Sequence, residues 1–468
     1  MRTSESVSES APESTPEFAP ESTRSTAAHT ADRASGRTRH STGESAYDRL
    51  RLRQWLAGAA RADGVSRRDM LRLLAAAALG AAATPAFATP ALGASTPDVP
   101  TPVMPVPAAG GIVKALPDEW FTVRGTNAET RFASLSGTGY HTPVDHFFVR
   151  NHTVTPVLDA ADWTLTVRGD GLVHDRTVEF SLDDLKRLPA VTRTAFVECA
   201  GNGRSFFTSQ QGEIVSGTAW TLGAIGTARW TGVRLADVLR RAGLGAHAVD
   251  VMPRGLDPDY VTADGTDLGR VRRPLPLSKA LDDVLLAYEM NGEPLPYDHG
   301  HPVRVVVPSW AGIASIKWVG DIEVSAQPLY SPWNTDFYRL FGDAYPQGGS
   351  APLTRQTVKS AWELDWGASL DATGHRLTGR SWSGAGGVVR VDVSTDGGTT
   401  WRRARLHDAP RRAGWVRWST DWRPPAPGGY VLLARATDAA GRTQPDITTP
   451  NTQGYLFDAI VRHPVNVA

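Results

Sequence analysis

Residues 285–320 read LLAYEMNGEPLPYDHGHPVRVVVPSWAGIASIKWVG, and the fold can be worked out from this stretch. Within it, the run 303–307 is apolar apart from Arg304 and lies between Pro302 and Pro308. A short apolar run bounded by prolines predicts a buried strand. The single charge on that strand must then point at a specific partner.

Outward from this stretch, residues 120–345 mix short strands with short helices. Residues 163–169 (WTLTVRG) alternate apolar and polar side chains, which predicts a half-buried strand. Ser181 is followed by early acidic residues and predicts a capped helix start, and residues 234–239 predict a second helix that ends at Gly243. Strands and helices do not alternate regularly, as they would in a doubly wound sheet, so the predicted fold class is α+β.

Helix signals disappear in residues 351–468. Residues 388–394 (VVRVDVS) alternate in polarity and run into residues 396–398 (DGG), which signal a hairpin turn. Further strand patterns follow at 415–418 and 430–437, separated by Pro-rich and Gly-rich turns. We therefore predict an all-β domain of the immunoglobulin-like sandwich type, held by apolar packing because no cysteine pair is available.

The N-terminal residues carry three different patterns. Residues 1–65 are predicted to be a disordered extension, because they contain too few large apolar side chains to offset chain entropy. Residues 66–88 combine Arg67-Arg68, a short alanine-rich run and an A-x-A-like site, the pattern of a twin-arginine export signal. The alternative of a membrane anchor is disfavoured because a span needs about 20 apolar residues. Residues 89–119 are predicted to be a linker.

Composition excludes several classes of protein. The single cysteine, Cys199, rules out intrachain disulfides, four-cysteine zinc sites, cysteine-ligated iron–sulfur clusters and covalently attached haem c. The 49 Lys and Arg residues balance 49 Asp and Glu residues, so no global positive charge draws the chain to nucleic acid. The function must therefore be found in local constellations of residues.

Cys199 lies in the segment VECAGNGRS, residues 197–205, where an apolar strand runs into a glycine-containing loop. Arg204 follows five residues later, and a nearby cation favours the thiolate, which is the reactive and metal-binding form of cysteine. A buried structural cysteine is the alternative interpretation.

Cationic and imidazole side chains recur beside the other apolar strands. Arg150 and His152 follow an aromatic run, and His299, Arg304 and Lys317 lie in the stretch quoted above. Each has an ordinary alternative: a surface charge for Lys317, a salt bridge for Arg304, a satisfied core histidine for His299. Together they indicate a cationic pocket for a phosphate-bearing cofactor and for an oxyanion substrate.

Four segments carry a family resemblance, namely FFVRNH (147–152), VECAGNGRS (197–205), the stretch 285–320 and WNTDFYRLF (333–341). In order and spacing they resemble the sulfite oxidase family of molybdenum enzymes. The resemblance implies a molybdopterin-binding catalytic domain over residues 120–345 and an immunoglobulin-like dimerisation domain over residues 351–468.

The resemblance also assigns roles to residues. Cys199 would bind molybdenum through its thiolate, beside the dithiolene sulfurs of one molybdopterin. Arg150 and Arg204 would hold the substrate anion, and the Tyr338 phenol would hydrogen-bond the transferable oxygen. The residues that match pterin-binding positions are Phe148, Arg150, Asn151, His152, Asp257, His299, Arg304, Ser315, Ile316 and Lys317.

The implied reaction is oxygen-atom transfer that oxidises sulfite to sulfate. Because the sequence has neither a haem-attachment site nor a His-Pro-Gly-Gly haem motif, we expect the electrons to leave to a separate acceptor, a c-type cytochrome outside the cytoplasm. We also expect export to the periplasm, a homodimer built on the sandwich, no nucleic-acid partner and no membrane span in the mature protein.

Gln453 departs from the family pattern. In PNTQGY, residues 450–455, a family arginine commonly stands where Gln453 does. Either the anion site loses a positive charge or the local register differs. Two alternatives to a sulfite dehydrogenase therefore stay open: another molybdopterin enzyme on this scaffold, such as a sulfane dehydrogenase or sulfoxide reductase, and a non-enzymatic binding module.

Overall fold

The computed structural model describes residues 111–468, so the predicted extension (1–65), the export signal (66–88) and most of the linker (89–119) lie outside the described residues. The part of the linker that is described packs on the domain that follows. Ile112 is fully buried, and the backbone N–H groups of Val113 and Lys114 donate to the Asp298 carboxylate at 3.0 and 2.7 Å. The sequence predicted that the first domain starts at residue 120. The structure shows that the packed region begins earlier, within the predicted linker.

The described chain forms two domains in sequence. The strands of the first are β1 (Phe121–Arg124), β2 (Asn127–Thr130), β3 (Thr164–Arg168), β4 (Val178–Ser181), β5 (Ala190–Glu198), β6 (Ile225–Arg234), β7 (Asp250–Gly255), β8 (Leu275–Pro276), β9 (Leu285–Met290), β10 (Glu293–Pro294), β11 (Arg304–Val306) and β12 (Val319–Ser325). Its helices are α1 (Leu182–Lys186), α2 (Ser205–Gln211), α3 (Leu235–Ala242), α4 (Leu277–Asp282) and α5 (Pro332–Thr335). Short 3₁₀ turns cover Phe132–Leu135, Val144–His146, Val173–Asp175, Tyr297–His299 and Gly312–Ala314.

Two sheets organise this first domain. One has the order β10-β9-β6-β5, with β11 also pairing with β9, and the other has the order β4-β3-β12-β7-β8. Strand β12 runs parallel to β3 but antiparallel to β7. The predicted α+β class is therefore confirmed, and β11 is the buried, proline-bounded strand that its apolar run indicated.

The predicted helix boundaries in this domain are confirmed. The Ser181 hydroxyl accepts from the backbone N–H of Asp184, whose carboxylate accepts from the Ser181 N–H in return, which makes a capping box at the start of α1. Helix α3 ends at Gly243, whose φ of +91° belongs to the left-handed region that glycine adopts without strain.

The second domain is an all-β sandwich. Its strands are β13 (Lys359–Trp362), β14 (Ala368–Leu370), β15 (His375–Trp382), β16 (Val388–Ser394), β17 (Arg402–Arg403), β18 (Arg405–Leu406), β19 (Trp415–Trp422), β20 (Gly428–Asp438) and β21 (His463–Val467). One sheet has the order β13-β15-β19-β18 and the other has the order β14-β21-β20-β16-β17. Apolar side chains from both sheets, including Val391, Trp418 and Leu432, form the core between them. Within residues 111–468 we find no helix with the length and hydropathy of a transmembrane span.

The two domains share one apolar cluster. Phe196 and Phe207 of the first domain pack in it with Trp382 and Trp415 of the sandwich. The segment between β20 and β21 also returns to the first domain, where the Gln453 carbonyl accepts from Arg204 Nε at 2.9 Å. Residues of the sandwich domain can therefore line a site that is built mainly on the first domain.

Candidate active site

Cys199 is the first residue after β5. Its backbone N–H donates to the Ala224 carbonyl at 2.9 Å, and its own carbonyl accepts from the Asn202 N–H at 3.0 Å. The chain can turn sharply there because Gly203 adopts a φ of +93°. Only 8% of Cys199 is exposed, so the thiol is held at the end of a rigid strand with little access to water.

A first cavity, of about 80 Å³, opens on one side of Cys199. The structure brings together around it every residue that the sequence matched to a pterin-binding position. These are Phe148, Arg150, Asn151, His152, Asp257, His299, Arg304, Ser315, Ile316 and Lys317. We call this space the cofactor cavity.

Arg304 and Lys317 of the cofactor cavity form no salt bridge among residues 111–468, although Asp298 and Asp257 attract the charge of Lys317. The Arg304 guanidinium donates to the carbonyls of His299 and Ser315, both at 3.1 Å, and lies over the Trp230 ring. Burial lowers the pKa of Arg304 to about 9. Lys317 donates to the Asn151 side chain and to the Asp298 carbonyl, and burial lowers its pKa well below the usual value. Neither the salt-bridge alternative for Arg304 nor the surface-charge alternative for Lys317 fits these contacts.

Both histidines of the cofactor cavity are neutral. Burial, reinforced by nearby cations that include Lys317, holds the pKa of His152 and of His299 well below the usual value. His152 Nε2 accepts from the Trp333 indole N–H at 3.0 Å, so the ring proton lies on Nδ1. His152 therefore has a donor left for a ligand.

A second cavity, of about 220 Å³, meets the cofactor cavity at the four residues they share, Arg150, His152, Cys199 and Tyr338. Arg204 and Gln453 also line it. All four residues predicted to be catalytic, Arg150, Cys199, Arg204 and Tyr338, thus border one space, which we call the substrate cavity. Because Gln453 borders it too, the departure from the family arginine falls in the site itself.

Arg150 and Tyr338 influence each other's ionisation. Burial opposes the charge on Arg150, but attraction to Tyr338 and Cys199 outweighs it and raises the pKa of Arg150. Burial also raises the pKa of Tyr338, so its phenol keeps its proton. At Tyr338 the backbone has a φ of +57°, and the Tyr338 carbonyl accepts from the Leu353 N–H at 2.8 Å. A fixed cation and a protonated phenol therefore face the same space as the thiol.

Comparisons with known proteins identify this arrangement. The family model "Oxidoreductase molybdopterin binding domain" matches residues 152–333, and "Mo-co oxidoreductase dimerisation domain" matches residues 361–468. Chicken sulfite oxidase is 37% identical over 350 residues, which are 70% of this chain and 73% of the chicken protein. The chain belongs to the sulfite oxidase family.

Further relatives agree with this membership in the sulfite oxidase family. Human mitochondrial sulfite oxidase is 40% identical over 350 residues, and the match spans about 62% of the human protein's length. Among solved structures, the sulfane dehydrogenase SoxCD from Paracoccus pantotrophus has a TM-score of 0.61 and 29% identity, over 74% of this chain and 87% of that chain. Membership of an enzyme family leaves the binding-module alternative without support.

The side chains that line the cofactor cavity suit, by their chemistry, the molybdopterin of the sulfite oxidase family. One of its buried atoms, His299 Nε2, has no hydrogen-bond partner among the described residues. Arg304 and Lys317 are basic side chains without a salt bridge among the described residues, and an anionic, phosphate-bearing pterin would supply that partner and favour their charged forms. The Cys199 thiolate is the soft ligand that molybdenum takes. The cofactor is therefore molybdenum bound by molybdopterin.

Sequence reasoning missed several residues of the site. Asp298 is buried under the cofactor cavity, where its carboxylate accepts from Thr155 Oγ1 at 2.5 Å and from the 113–114 backbone. Lys114 donates to the Val144 and Phe147 carbonyls, and burial lowers its pKa to about 7. Tyr455 stacks on Tyr338 with ring centroids 5.1 Å apart. Asp298 and Tyr455 stand within the quoted segments 285–320 and 450–455, whereas no sequence pattern singled out Lys114.

Proposed function

We propose that this chain is an exported molybdenum enzyme that oxidises sulfite to sulfate by oxygen-atom transfer. One observation carries the proposal: Cys199 lies where the cofactor cavity meets a second cavity that Arg150, Arg204 and Tyr338 border. The names of the sulfite oxidase relatives support the choice of substrate.

The molybdenum cofactor, when bound, supplies the oxygen atom and takes two electrons from the substrate sulfur. The residues of this chain bind and orient the anion. Arg150 offers a guanidinium nitrogen that no described residue satisfies, so it can hold a sulfite oxygen by a charge-assisted hydrogen bond. Tyr338 keeps its phenolic proton and can donate to an oxygen at the same place.

Arg204 adds the second positive charge to the substrate cavity. Its Nε and Nη1 donate to the carbonyls of Gln453 and Thr218, both at 2.9 Å, and its guanidinium lies over the Tyr455 ring. These contacts hold the charge in a fixed place before substrate arrives. Such a preorganised cation stabilises a bound oxyanion without further rearrangement.

Phe148 and Ile316 give the cofactor cavity apolar surface, while Asn151, Ser315 and Asp257 give it polar edges. Asn151 and Ser315 are themselves fixed: Asn151 Nδ2 donates to Thr155 Oγ1 at 2.9 Å, and Ser315 Oγ accepts from the Val307 N–H at 3.0 Å. We assign these residues, with His152, His299, Arg304 and Lys317, to holding the pterin.

The cell biology of the protein is part of the same proposal. The Arg67-Arg68 pattern supports twin-arginine export to the periplasm, and a c-type cytochrome would then take the electrons. The match to a dimerisation domain over residues 361–468 supports a homodimer formed through the sandwich, which we assign to the immunoglobulin type. Replacing both arginines by lysine should leave the protein in the cytoplasm, while retention of export would contradict the signal.

Sulfane dehydrogenase is the second candidate function. Two observations favour it: the likeness to the sulfane dehydrogenase SoxCD, and the neutral Gln453 at the edge of the substrate cavity. If the protein is a sulfane dehydrogenase, it should oxidise a sulfane substrate but not sulfite. One assay with both substrates therefore separates the two candidate functions.

The deciding experiment uses the full chain produced in a molybdate-fed host. Sulfate formation is measured with ferricyanide or cytochrome c as acceptor, and molybdenum is counted per chain. We expect turnover of sulfite by the parent protein and none by Cys199→Ser, with matching circular dichroism spectra. Sulfate production by the Ser variant at the parent rate would overturn the assignment of Cys199.

A further inference from the structure

The wall of the substrate cavity is aromatic. Six aromatic side chains line it, and no Asp or Glu among the described residues does. They are Trp220, Tyr260, Trp333, Phe337, Tyr338 and Tyr455. Aromatic side chains combined with fixed polar groups are a usual lining of a site for an organic ligand.

Two guanidinium groups, those of Arg150 and Arg204, give this space its positive charge. Arg150 borders both cavities next to Cys199, whereas the Arg204 guanidinium is already engaged with the Tyr455 ring and with the Gln453 and Thr218 carbonyls. Tyr338 and Tyr455 stack with an interplanar angle of 13°, so each ring holds the other in place in the wall. The cavity is therefore suited to a ligand with an anionic head and an apolar group behind it.

The size of the cavity supports the same conclusion. Its volume is about 220 Å³, and a protein cavity of about 150 Å³ is enough to bind benzene. A sulfite ion is much smaller and would leave most of the aromatic wall without a contact. An apolar substituent on the sulfur would fill that space and bury apolar surface.

We propose that the substrate cavity also accepts organic sulfinates and that the enzyme oxidises them to sulfonates. A sulfinate carries the same oxidisable sulfur lone pair and anionic oxygens as sulfite, with a carbon group in place of one oxygen. In the net reaction one S–O bond forms, with water as the source of the oxygen. Two protons are released, and two electrons leave the sulfur for a one-electron acceptor such as ferricyanide. This inference rests on the proposed oxygen-atom transfer at the same site.

The test compares benzenesulfinate, methanesulfinate and sulfite with the molybdenum-loaded full chain. In water labelled with ¹⁸O we expect benzenesulfonate that carries one labelled oxygen, and a KM about tenfold lower for benzenesulfinate than for methanesulfinate. Binding of benzenesulfonate to the same protein, measured by calorimetry, gives a readout that does not depend on turnover. It should exceed the binding of methanesulfonate by a similar factor.

Variants locate the effect in the aromatic wall. Tyr455→Ala should reduce the preference for the benzene compound over the methane compound about tenfold, in both turnover and binding. Phe337→Ala, in a half-buried residue of the same wall, should do the same if Tyr455→Ala fails to fold. Trp401→Ala is the matched control, because Trp401 lies in the β16–β17 connection of the sandwich and should leave the preference unchanged.

The outcomes of this test bear on the proposed function and on the further inference in different ways. Oxidation of sulfite without oxidation of either sulfinate would overturn the inference and leave the proposed function standing. Oxidation of sulfinates without oxidation of sulfite would support the inference and overturn the choice of sulfite. If molybdenum-loaded protein oxidises none of them, both proposals fall.

Discussion

Lys359 Nζ lies 2.8 Å from Glu198 Oε1, and both side chains are almost fully buried, with 1% and 0% exposed. Glu198 is the residue before Cys199, and Lys359 begins the first strand of the sandwich. Asn202 Nδ2 donates to the same carboxylate oxygen at 3.0 Å, and Gln356 Nε2 donates to the Glu198 carbonyl at 2.7 Å. The sandwich domain thus holds the strand that presents the thiol.

Removing the cation alone should destabilise the protein strongly. Lys359→Met leaves the Glu198 carboxylate buried without its partner, which typically costs about 3 to 5 kcal/mol of unfolding free energy. The double variant Glu198→Gln with Lys359→Met removes both charges and should recover most of that loss. Urea unfolding followed by tryptophan fluorescence measures all three proteins.

The control for this pair is an exposed ion pair. Arg187 pairs with Asp184 at the surface, with 69% of the Arg187 side chain exposed, so Arg187→Met should change the unfolding free energy by less than about 0.5 kcal/mol. If the Lys359 and Arg187 variants lose equal stability, the buried pair does not hold the two domains together.

The sequence could predict the residues of the site but not the contacts that hold them. Cys199, Arg150 and Tyr338 belong to segments with a recognisable order, and all of them border the substrate cavity. Lys359 and Glu198 are 161 positions apart, and no local pattern pairs them. Such contacts depend on how the two domains meet, which periodicity and spacing do not encode.

The same reason explains the missed aromatic and acidic residues. Tyr455 lies in a loop between β20 and β21, and only the return of that loop to the first domain brings its ring onto Tyr338. Asp298 lies in the stretch 285–320, but its role depends on hydrogen bonds from the backbone of Val113 and Lys114, which the sequence assigned to a linker. Polar patterns predict secondary structure, whereas burial of a carboxylate depends on tertiary contacts.

Introducing a charge at Gln453 should strengthen sulfite binding. Gln453 lines the substrate cavity, and Gln453→Arg would add a third cation to a wall that already holds Arg150 and Arg204. We expect a KM for sulfite about tenfold lower, with an effect that weakens as salt is raised. Steady-state kinetics at two ionic strengths tests this.

A control for this substitution adds the same charge one residue away. Thr452 is exposed and is not among the residues lining either cavity, so Thr452→Arg should leave the KM for sulfite almost unchanged. An equal drop in KM for both variants would mean that long-range attraction, and not the cavity, sets the affinity.

Asp336 should make stability depend on pH. Burial raises the pKa of Asp336 to about 6, and its Oδ1 has no partner among the described residues. Between the ordinary pKa near 4 and about 6, the folded protein therefore binds more protons than the unfolded chain, so this group lowers stability as pH rises through that window. The full loss, roughly 2 to 3 kcal/mol, is reached above pH 6.

Asp336→Asn should abolish this contribution. The variant and the parent protein should have similar unfolding free energies at pH 4, and the variant should be more stable by about 2 kcal/mol at pH 7.5. Urea titrations at both pH values measure the difference. A difference that does not grow with pH would show that the Asp336 carboxyl is not desolvated.

Trp333 should fix the tautomer of His152. Because the Trp333 indole donates to His152 Nε2 at 3.0 Å, the imidazole proton is confined to Nδ1. Trp333→Phe keeps an aromatic ring but removes the donor, so a fraction of His152 should shift its proton to Nε2. We expect sulfite turnover about tenfold lower, as is typical when the partner that orients a functional histidine is lost. Nitrogen-15 NMR of the imidazole measures the tautomer directly.

Trp163→Phe is the matched control, because it removes a buried indole hydrogen bond to the Val319 carbonyl in the core of the first domain. A similar loss of turnover in both variants, with the His152 tautomer unchanged, would mean that Trp333 contributes packing alone.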